Sequence, residues 1–265
     1  MKKIENIITD LDGTLLNDEG TIDEITKKYL AYLDKKIDII LISGRTIGQI
    51  LPFVKELKIA TNEKPYIIGL GGNLLFNVNS KRYKYFKKFN SDDVLSILKS
   101  NIFSNKPIYG YSARTKYIFK DKVNLKEYIK NFLRFCMRKK CYVVKKTSPR
   151  KNLLKLQSFV SATDSTINLL RRNANVFINK NEIEILPIGV NKMTAISYLS
   201  LKKDNCIYFG DSDNDVPCLS FFELSVALSN ASSIAKDASK IVLNKTNNED
   251  AVIKFLKEEH YFDSK

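Results

Sequence analysis

Histidine is almost missing from this chain of 265 residues: His260, close to the C-terminus, is the only one. A Ser–His–Asp hydrolase needs a histidine as its base, and no G-x-S-x-G elbow accompanies this one. His260 reads as a solvated bystander. Cysteine is sparse too: Cys136, Cys141, Cys206 and Cys218 form no C-x-x-C pair and have no nearby histidine, which argues against zinc. Cys206 and Cys218 are expected in the core. Cys136 and Cys141 flank the run Arg138-Lys139-Lys140, and a regulatory disulfide there would run against a reducing compartment. No apolar stretch approaches the roughly 18–20 residues of a membrane span. The chain enters a strand at once, without a signal-peptide core or cleavage site. The expectation is a soluble, cytoplasmic protein with no membrane partner.

Acidic residues are also in short supply, 29 against 44 basic ones, for a net charge of +15. The imbalance is local. Residues 81–186 hold 25 Lys and Arg against 7 Asp and Glu, whereas the remainder is close to neutral. That asymmetry suggests two bodies, a catalytic core and a basic insert. The excess reads first as a solvated lysine surface, second as an attractor of anionic substrates, and last as a nucleic-acid face. Hydrophobic content of 44% is ample for a buried core, and the length permits one or two domains.

The most informative residues present are Asp10-Leu11-Asp12-Gly13-Thr14, directly after the apolar run Ile4 to Ile8. A buried strand there would deliver two carboxylates to its end, and positions i and i+2 of a strand face one side. Two acids in one pocket repel, so one has a raised pKa unless a cation neutralises the pair. A divalent metal would do so and draw in phosphate, with Asp10 as nucleophile and Asp12 passing a proton. Asp-Gly is also ordinary turn chemistry, so the pentapeptide alone leaves both readings open.

Three further segments bear on the choice. Ile37 to Ile42 reads as a second buried strand ending in Ser43-Gly44-Arg45-Thr46, where a hydroxyl and a run of backbone N–H groups form an anion cradle. Lys192 follows Pro187 to Asn191 and opens a helix through Ala195, Ile196 and Leu199. Cys206 to Phe209 reads as a third buried strand, ending in Gly210-Asp211-Ser212-Asp213-Asn214-Asp215 with three more carboxylates.

In this order the four segments resemble the haloacid dehalogenase-like hydrolases, and within them the Cof-type sugar phosphatases, over nearly the whole chain. The pair D-x-D-G-T and G-D-x-x-N-D is the specific part. The resemblance implies an α/β fold, a doubly wound parallel-sheet core of Rossmann-like form with an inserted α+β cap. It implies a Mg²⁺-dependent phosphatase acting on a small phosphorylated metabolite. By the same resemblance Asp10 becomes an aspartyl phosphate, and Asp12 is the general acid and base that also offers a backbone carbonyl to Mg²⁺. Ser43, with Gly44 and Arg45 of its turn, Lys192 and Asn214 hold the phosphate. Asp211 is the third metal ligand and Asp215 an outer carboxylate orienting it or Lys192. The chain departs from the family at Gly71-Gly72-Asn73, where Asn-Gly-Ala is usual, and at Met193, Cys218 and Asp250-Ala251.

Helical periodicity covers Asp23 to Leu33 and Ile47 to Leu57, and Tyr66 to Ile68 is a third short strand. Alternating strands and helices imply a parallel sheet with ligands beyond its carboxyl ends. Gly69-Leu70-Gly71-Gly72 lacks dinucleotide-loop spacing. The middle mixes strand-like Lys116 to Lys120, Cys141 to Lys145, Leu154 to Val160 and Glu182 to Leu186 with helix-like Ser91 to Lys99, Leu125 to Met137 and Ser165 to Arg172. The expected division is a core of residues 1–80 and 187–265 and a cap of residues 81–186. The stripe Tyr83, Tyr85, Phe86 and Phe89 reads as packing rather than base stacking. A phosphosugar mutase is the alternative within enzymes; a phospholigand or nucleic-acid binder is the alternative outside them.

Overall fold

The computed structural model describes residues 3–258 except Pro149, Ala162 and Lys180, and not the side chains of Thr166 and Asn179; His260 lies outside the described residues. The chain divides into two compact units, one made of the described residues of 1–84 and 192–265, the other of 85–191.

The first unit begins with β1 (Asn6–Asp10), α1 (Glu24–Leu33), β2 (Asp38–Ile42), α2 (Ile47–Leu57), β3 (Tyr66–Gly69) and β4 (Leu74–Asn77). β5 (Tyr83–Tyr85) leads out of it. It resumes with α6 (Lys192–Tyr198), β12 (Cys206–Gly210), α7 (Val216–Phe221), β13 (Leu224–Ala227), α8 (Ser233–Ala238), β14 (Ile241–Val242) and α9 (Ala251–Glu258). Every residue of β1, β2 and β12 is buried, so these strands lie mid-sheet with both faces covered. Each Ile or Leu so buried contributes roughly 1.5–3 kcal/mol. The sheet order is β14-β13-β12-β1-β2-β3-β4-β5, parallel from β14 to β3 and turning antiparallel at β3–β4. Asp23 caps α1 by accepting from Ile25 N at 3.0 Å. Gln49 accepts from Thr46 N at 3.0 Å and fixes the start of α2.

The turn from β3 to β4 resolves the departure at Gly71. That residue has φ +64°, a region that Gly and Asn populate with the least penalty. Its N–H donates to Ser43 O at 3.1 Å. Gly71 keeps the backbone turn that an asparagine would make and lacks the side chain.

The second unit holds α3 (Ser91–Lys99), β6 (Ile108–Tyr111), β7 (Lys116–Lys120), α4 (Leu125–Cys136), β8 (Cys141–Lys145), β9 (Lys155–Phe159), α5 (Asp164–Arg171), β10 (Ala174–Asn179) and β11 (Glu182–Pro187). Its sheet runs β10-β11-β9-β6-β7-β8, antiparallel except for the parallel pair β7–β8. Val94, Ile97 and Leu98 of α3 and Ile167 and Leu170 of α5 pack with Phe103, Phe119 and Ile185 into its core. α4 differs, having no buried residue. Its Asn131 side chain accepts from Val143 N at 2.9 Å and donates to Val143 O at 2.5 Å. These bonds cover the open edge of β8. A cavity of about 520 Å³ opens beside this contact, lined in part by Tyr117, Tyr142 and Phe132.

All four cysteines are free thiols, Cys206 and Cys218 buried, Cys136 exposed and Cys141 half-buried. Phe89 of the aromatic stripe is in the core, and the rings of Phe76 and Tyr83 lie 4.6 Å apart. Among the described residues no helix is long and apolar enough to cross a membrane.

Candidate active site

Strand order reverses at β1, which pairs with β12 on one side and β2 on the other. Ligands of open parallel sheets gather at the carboxyl ends beside such a point. Asp10 is the last residue of β1 and is 5% exposed. The chain then turns back tightly, Leu16 N donating to Leu11 O at 2.8 Å. Gly13 has φ +77°, and a Cβ there would strike the Asp211 carboxylate, so glycine is required twice over. Thr14 Oγ1 donates to Asp211 Oδ1 at 2.9 Å. The first motif is thereby fastened to the last.

Asp12 lies just beyond the strand. β1 ends at Asp10, so the two-residue repeat that would aim both acids alike stops before Asp12. Its side chain is 52% exposed, and Arg45 clamps it: Nε donates to Oδ2 at 2.8 Å and Nη2 to Oδ1 at 2.5 Å. The two carboxylates of D-x-D occupy unlike environments, one dry and one half in water.

Lys192 is the first residue of α6 and is 1% exposed. Its ammonium donates to Asp10 Oδ1 at 2.7 Å and to Asp215 Oδ1 at 2.6 Å. Tyr208 donates its hydroxyl to that same Asp215 oxygen. Asp215 Oδ2 accepts from Asp211 N at 3.3 Å, Ser212 N at 3.2 Å and Ser212 Oγ at 3.0 Å. Gly210 leaves room for this carboxylate, since a Cβ there would overlap it.

Electrostatics follow from burial. Burial pushes the Asp10 carboxyl well above its ordinary value; Lys192 opposes this, and Asp215 and Asp211 add to it. For Lys192, burial acts to lower the pKa, but Asp10 and Asp215 outweigh it and hold the ammonium charged. Asp211 is pushed up to about 7, first by burial and then by Asp215. One ammonium thus faces three acids, an imbalance that a cation would relieve. Asp10, Asp211 and Asp215 each offer a carboxylate oxygen, all within 4.8 Å of one another. Hard oxygen donors suit Mg²⁺. Both oxygens of Asp215 already serve Lys192, Tyr208 and Ser212, so Asp10 and Asp211 are the better donors.

The model of one family, described as haloacid dehalogenase-like hydrolase, matches residues 7–256. The chain belongs to that family. Among characterised relatives it is 25% identical over 262 residues to the 5-amino-6-(5-phospho-D-ribitylamino)uracil phosphatase YcsE of Bacillus subtilis, covering 96% of this chain and 95% of that protein. Among solved structures it resembles TM0651 of Thermotoga maritima, with a TM-score of 0.71, 24% identity, and 99% and 98% of the two chains covered. The subclass IIB sugar phosphatase BT4131 gives a TM-score of 0.75 at 15% identity, covering 97% and 100%. At these identities the structural matches speak for the fold.

Within this haloacid dehalogenase-like hydrolase, direct bonds join Asp10, Lys192, Asp211 and Asp215. Ser43 is 1% exposed just beyond β2, its hydroxyl accepting from Arg45 N at 3.1 Å across Gly44. Asn214 lies in the turn Asp213–Asp215, where its Oδ1 accepts from Ser212 Oγ at 2.9 Å. Sequence reasoning overlooked Tyr208, Ser212, Asn230 and Ser232. Asn230 Nδ2 donates to Gly13 O at 2.7 Å, and Ser232 N donates to Asp211 O at 2.8 Å. For Asn230 and Ser232 the available signal is a polar run just beyond the apolar residues of β13; Tyr208 and Ser212 lie within the third strand and the last motif, where the acids dominate the pattern.

Proposed function

We propose that this phosphatase hydrolyses a small phosphorylated metabolite, of the sugar-phosphate class, through a covalent phosphate on Asp10. The observation that carries the reading is the buried Lys192 ammonium bridging Asp10 and Asp215. It fixes the orientation of Asp10 and places a permanent positive charge beside the attacking carboxylate. Mg²⁺, held by Asp10, Asp211 and the backbone carbonyl of Asp12, would neutralise charge between carboxylate and phosphate. Attack by Asp10 then splits one difficult displacement into two easier ones.

Asp12 is the acid and base of the pair. Half-exposed, it can exchange protons with water, and as a carboxylate it activates water for the second step. To protonate the departing alkoxide in the first step, Asp12 must part from Arg45. Ser43, Gly44 and Asn214 supply further donors to phosphate oxygens, and residues 81–186 act as the cap that selects the substrate. The relative YcsE is named for a phosphoribityl substrate and BT4131 as a sugar phosphatase, which favours a phosphorylated polyol or sugar here.

A screen of phosphorylated metabolites with Mg²⁺, read as inorganic phosphate released, tests this. Release from sugar phosphates that stops with EDTA is expected. Phosphate returned to a second hydroxyl of the sugar would identify a mutase instead, and a flat profile would remove the catalytic reading.

A further inference from the structure

We propose that α4 docks this protein onto an anionic lipid surface, lying along the interface rather than crossing it. The expectation of no membrane partner rested on the length of apolar runs, which does not bear on a helix that lies flat. Leu125, Tyr128, Ile129, Phe132 and Leu133 recur at the i, i+3, i+4 spacing of one helix side. They are largely open to water: Phe132 is 66% exposed, Phe135 68% and Leu125 75%, with Tyr128 and Phe132 also bordering the cavity beside β8. The side that meets β8 is polar, through Asn131 and its two bonds to Val143. An amphipathic helix in a globular domain ordinarily does the reverse, burying the apolar face and wetting the polar one. A patch of this kind marks an interaction surface.

Charge selects the occupant. Lys126, Lys130, Arg138, Lys139 and Lys140 are all exposed on or just after α4. The one acid of the helix, Glu127, lies 3.8 Å from Arg134. A second copy of this chain would bring one basic surface against another, which is repulsive. A nucleic acid would satisfy the lysines and leave Leu125, Phe132 and Phe135 in water. A bilayer with acidic headgroups meets both requirements, taking the aromatic and aliphatic side chains at the acyl boundary and the cations at the phosphates. The inference stands independently of the phosphatase chemistry, because none of these residues belongs to the site around Asp10.

The test uses the full chain and vesicles of phosphatidylcholine, alone or mixed with phosphatidylglycerol. The protein contains no tryptophan, so F132W is an isolated reporter. Its emission should shift to the blue on the mixed vesicles, and sedimentation with them should exceed that with phosphatidylcholine alone by about tenfold. The double variants F132S/F135S and K126E/K130E should each lower sedimentation by about tenfold while far-ultraviolet circular dichroism stays unchanged. No sedimentation, equal sedimentation with both vesicles, or an unshifted F132W spectrum would overturn the proposal. So would a concentration-dependent dimer in ultracentrifugation that F132S/F135S dissolves, which would make a second copy the occupant. Binding lost only in K126E/K130E would reduce the surface to charge and favour a nucleic acid.

Discussion

The ammonium of Lys192 stands 2.7 Å from the carboxylate of Asp10, with both groups buried at the carboxyl end of the central strand. The same ammonium is 2.6 Å from Asp215, so one cation ties the end of β1 to the loop after β12. Removing one partner of a buried ion pair leaves the others uncompensated, at a cost of about 3–5 kcal/mol. Lys192→Met, close in size, should therefore lower the thermal midpoint as well as turnover. Turnover should fall by about 10²–10³, the usual effect of losing an aligned donor. Circular dichroism melting alongside steady-state kinetics checks both; a variant within tenfold of wild type in turnover would remove Lys192 from the chemistry.

Tyr208 acts through Asp215. Its buried hydroxyl shares the Asp215 oxygen that Lys192 uses, and its ring stacks on Phe222 at 5.7 Å. Tyr208→Phe keeps the ring and deletes the donor, at about 1.5–3 kcal/mol for a bond to a charged group. The expected outcome is a fall in kcat of about tenfold with KM little changed, because the hydroxyl positions Lys192 and does not touch substrate. A rise in KM alone would place Tyr208 in binding.

The order of strands and helices around the site was legible because it rests on short-range pattern. Ile37 to Ile42 and Cys206 to Phe209 are apolar throughout, as strands buried on both faces must be, and α1 and α2 carry a helical period. What escaped was pattern too short or too diluted to register. Leu74 to Asn77 is a four-residue strand that reverses direction, Gly110 interrupts β6, and Ser225 and Ala227 dilute β13. At the site, the sequence placed Asp10, Lys192 and Asp211 through motifs. Asp12 lies past the last residue of β1, where a repeat of two residues no longer sets its side chain. The clamp of Arg45 on Asp12 depends on two loops 33 residues apart, and nothing local in either signals it.

Asp211 gives the metal-free protein a pH dependence whose sign is fixed. Its folded pKa of about 7 lies above its ordinary 3.8, so the folded state binds the proton more tightly than the unfolded chain. The stability from this proton is fully present below the ordinary value and is lost as pH rises through about 7. In EDTA the thermal midpoint should therefore decline between about pH 5 and about pH 8. Added Mg²⁺ competes with that proton, so its stabilising effect should grow over the same interval. Scanning calorimetry across pH, with and without Mg²⁺, checks this; a Mg²⁺ effect that shrinks with pH would contradict it.

The two acids of D-x-D should separate kinetically. Asp12→Asn leaves Asp10 and Lys192 in place and removes the base for the second step. Turnover should drop by about 10²–10⁴ while phosphorylated protein accumulates in rapid-quench samples. Loss of turnover with no accumulation would assign Asp12 to the first step alone.

The most direct measurement is the site of phosphorylation itself. Protein quenched during turnover and reduced with borohydride converts an aspartyl phosphate to homoserine, which peptide mass spectrometry locates. The account predicts homoserine at position 10, dependent on substrate and absent from Asp10→Asn. Modification at another residue, or release of phosphate by Asp10→Asn at a rate within tenfold of wild type, would contradict it.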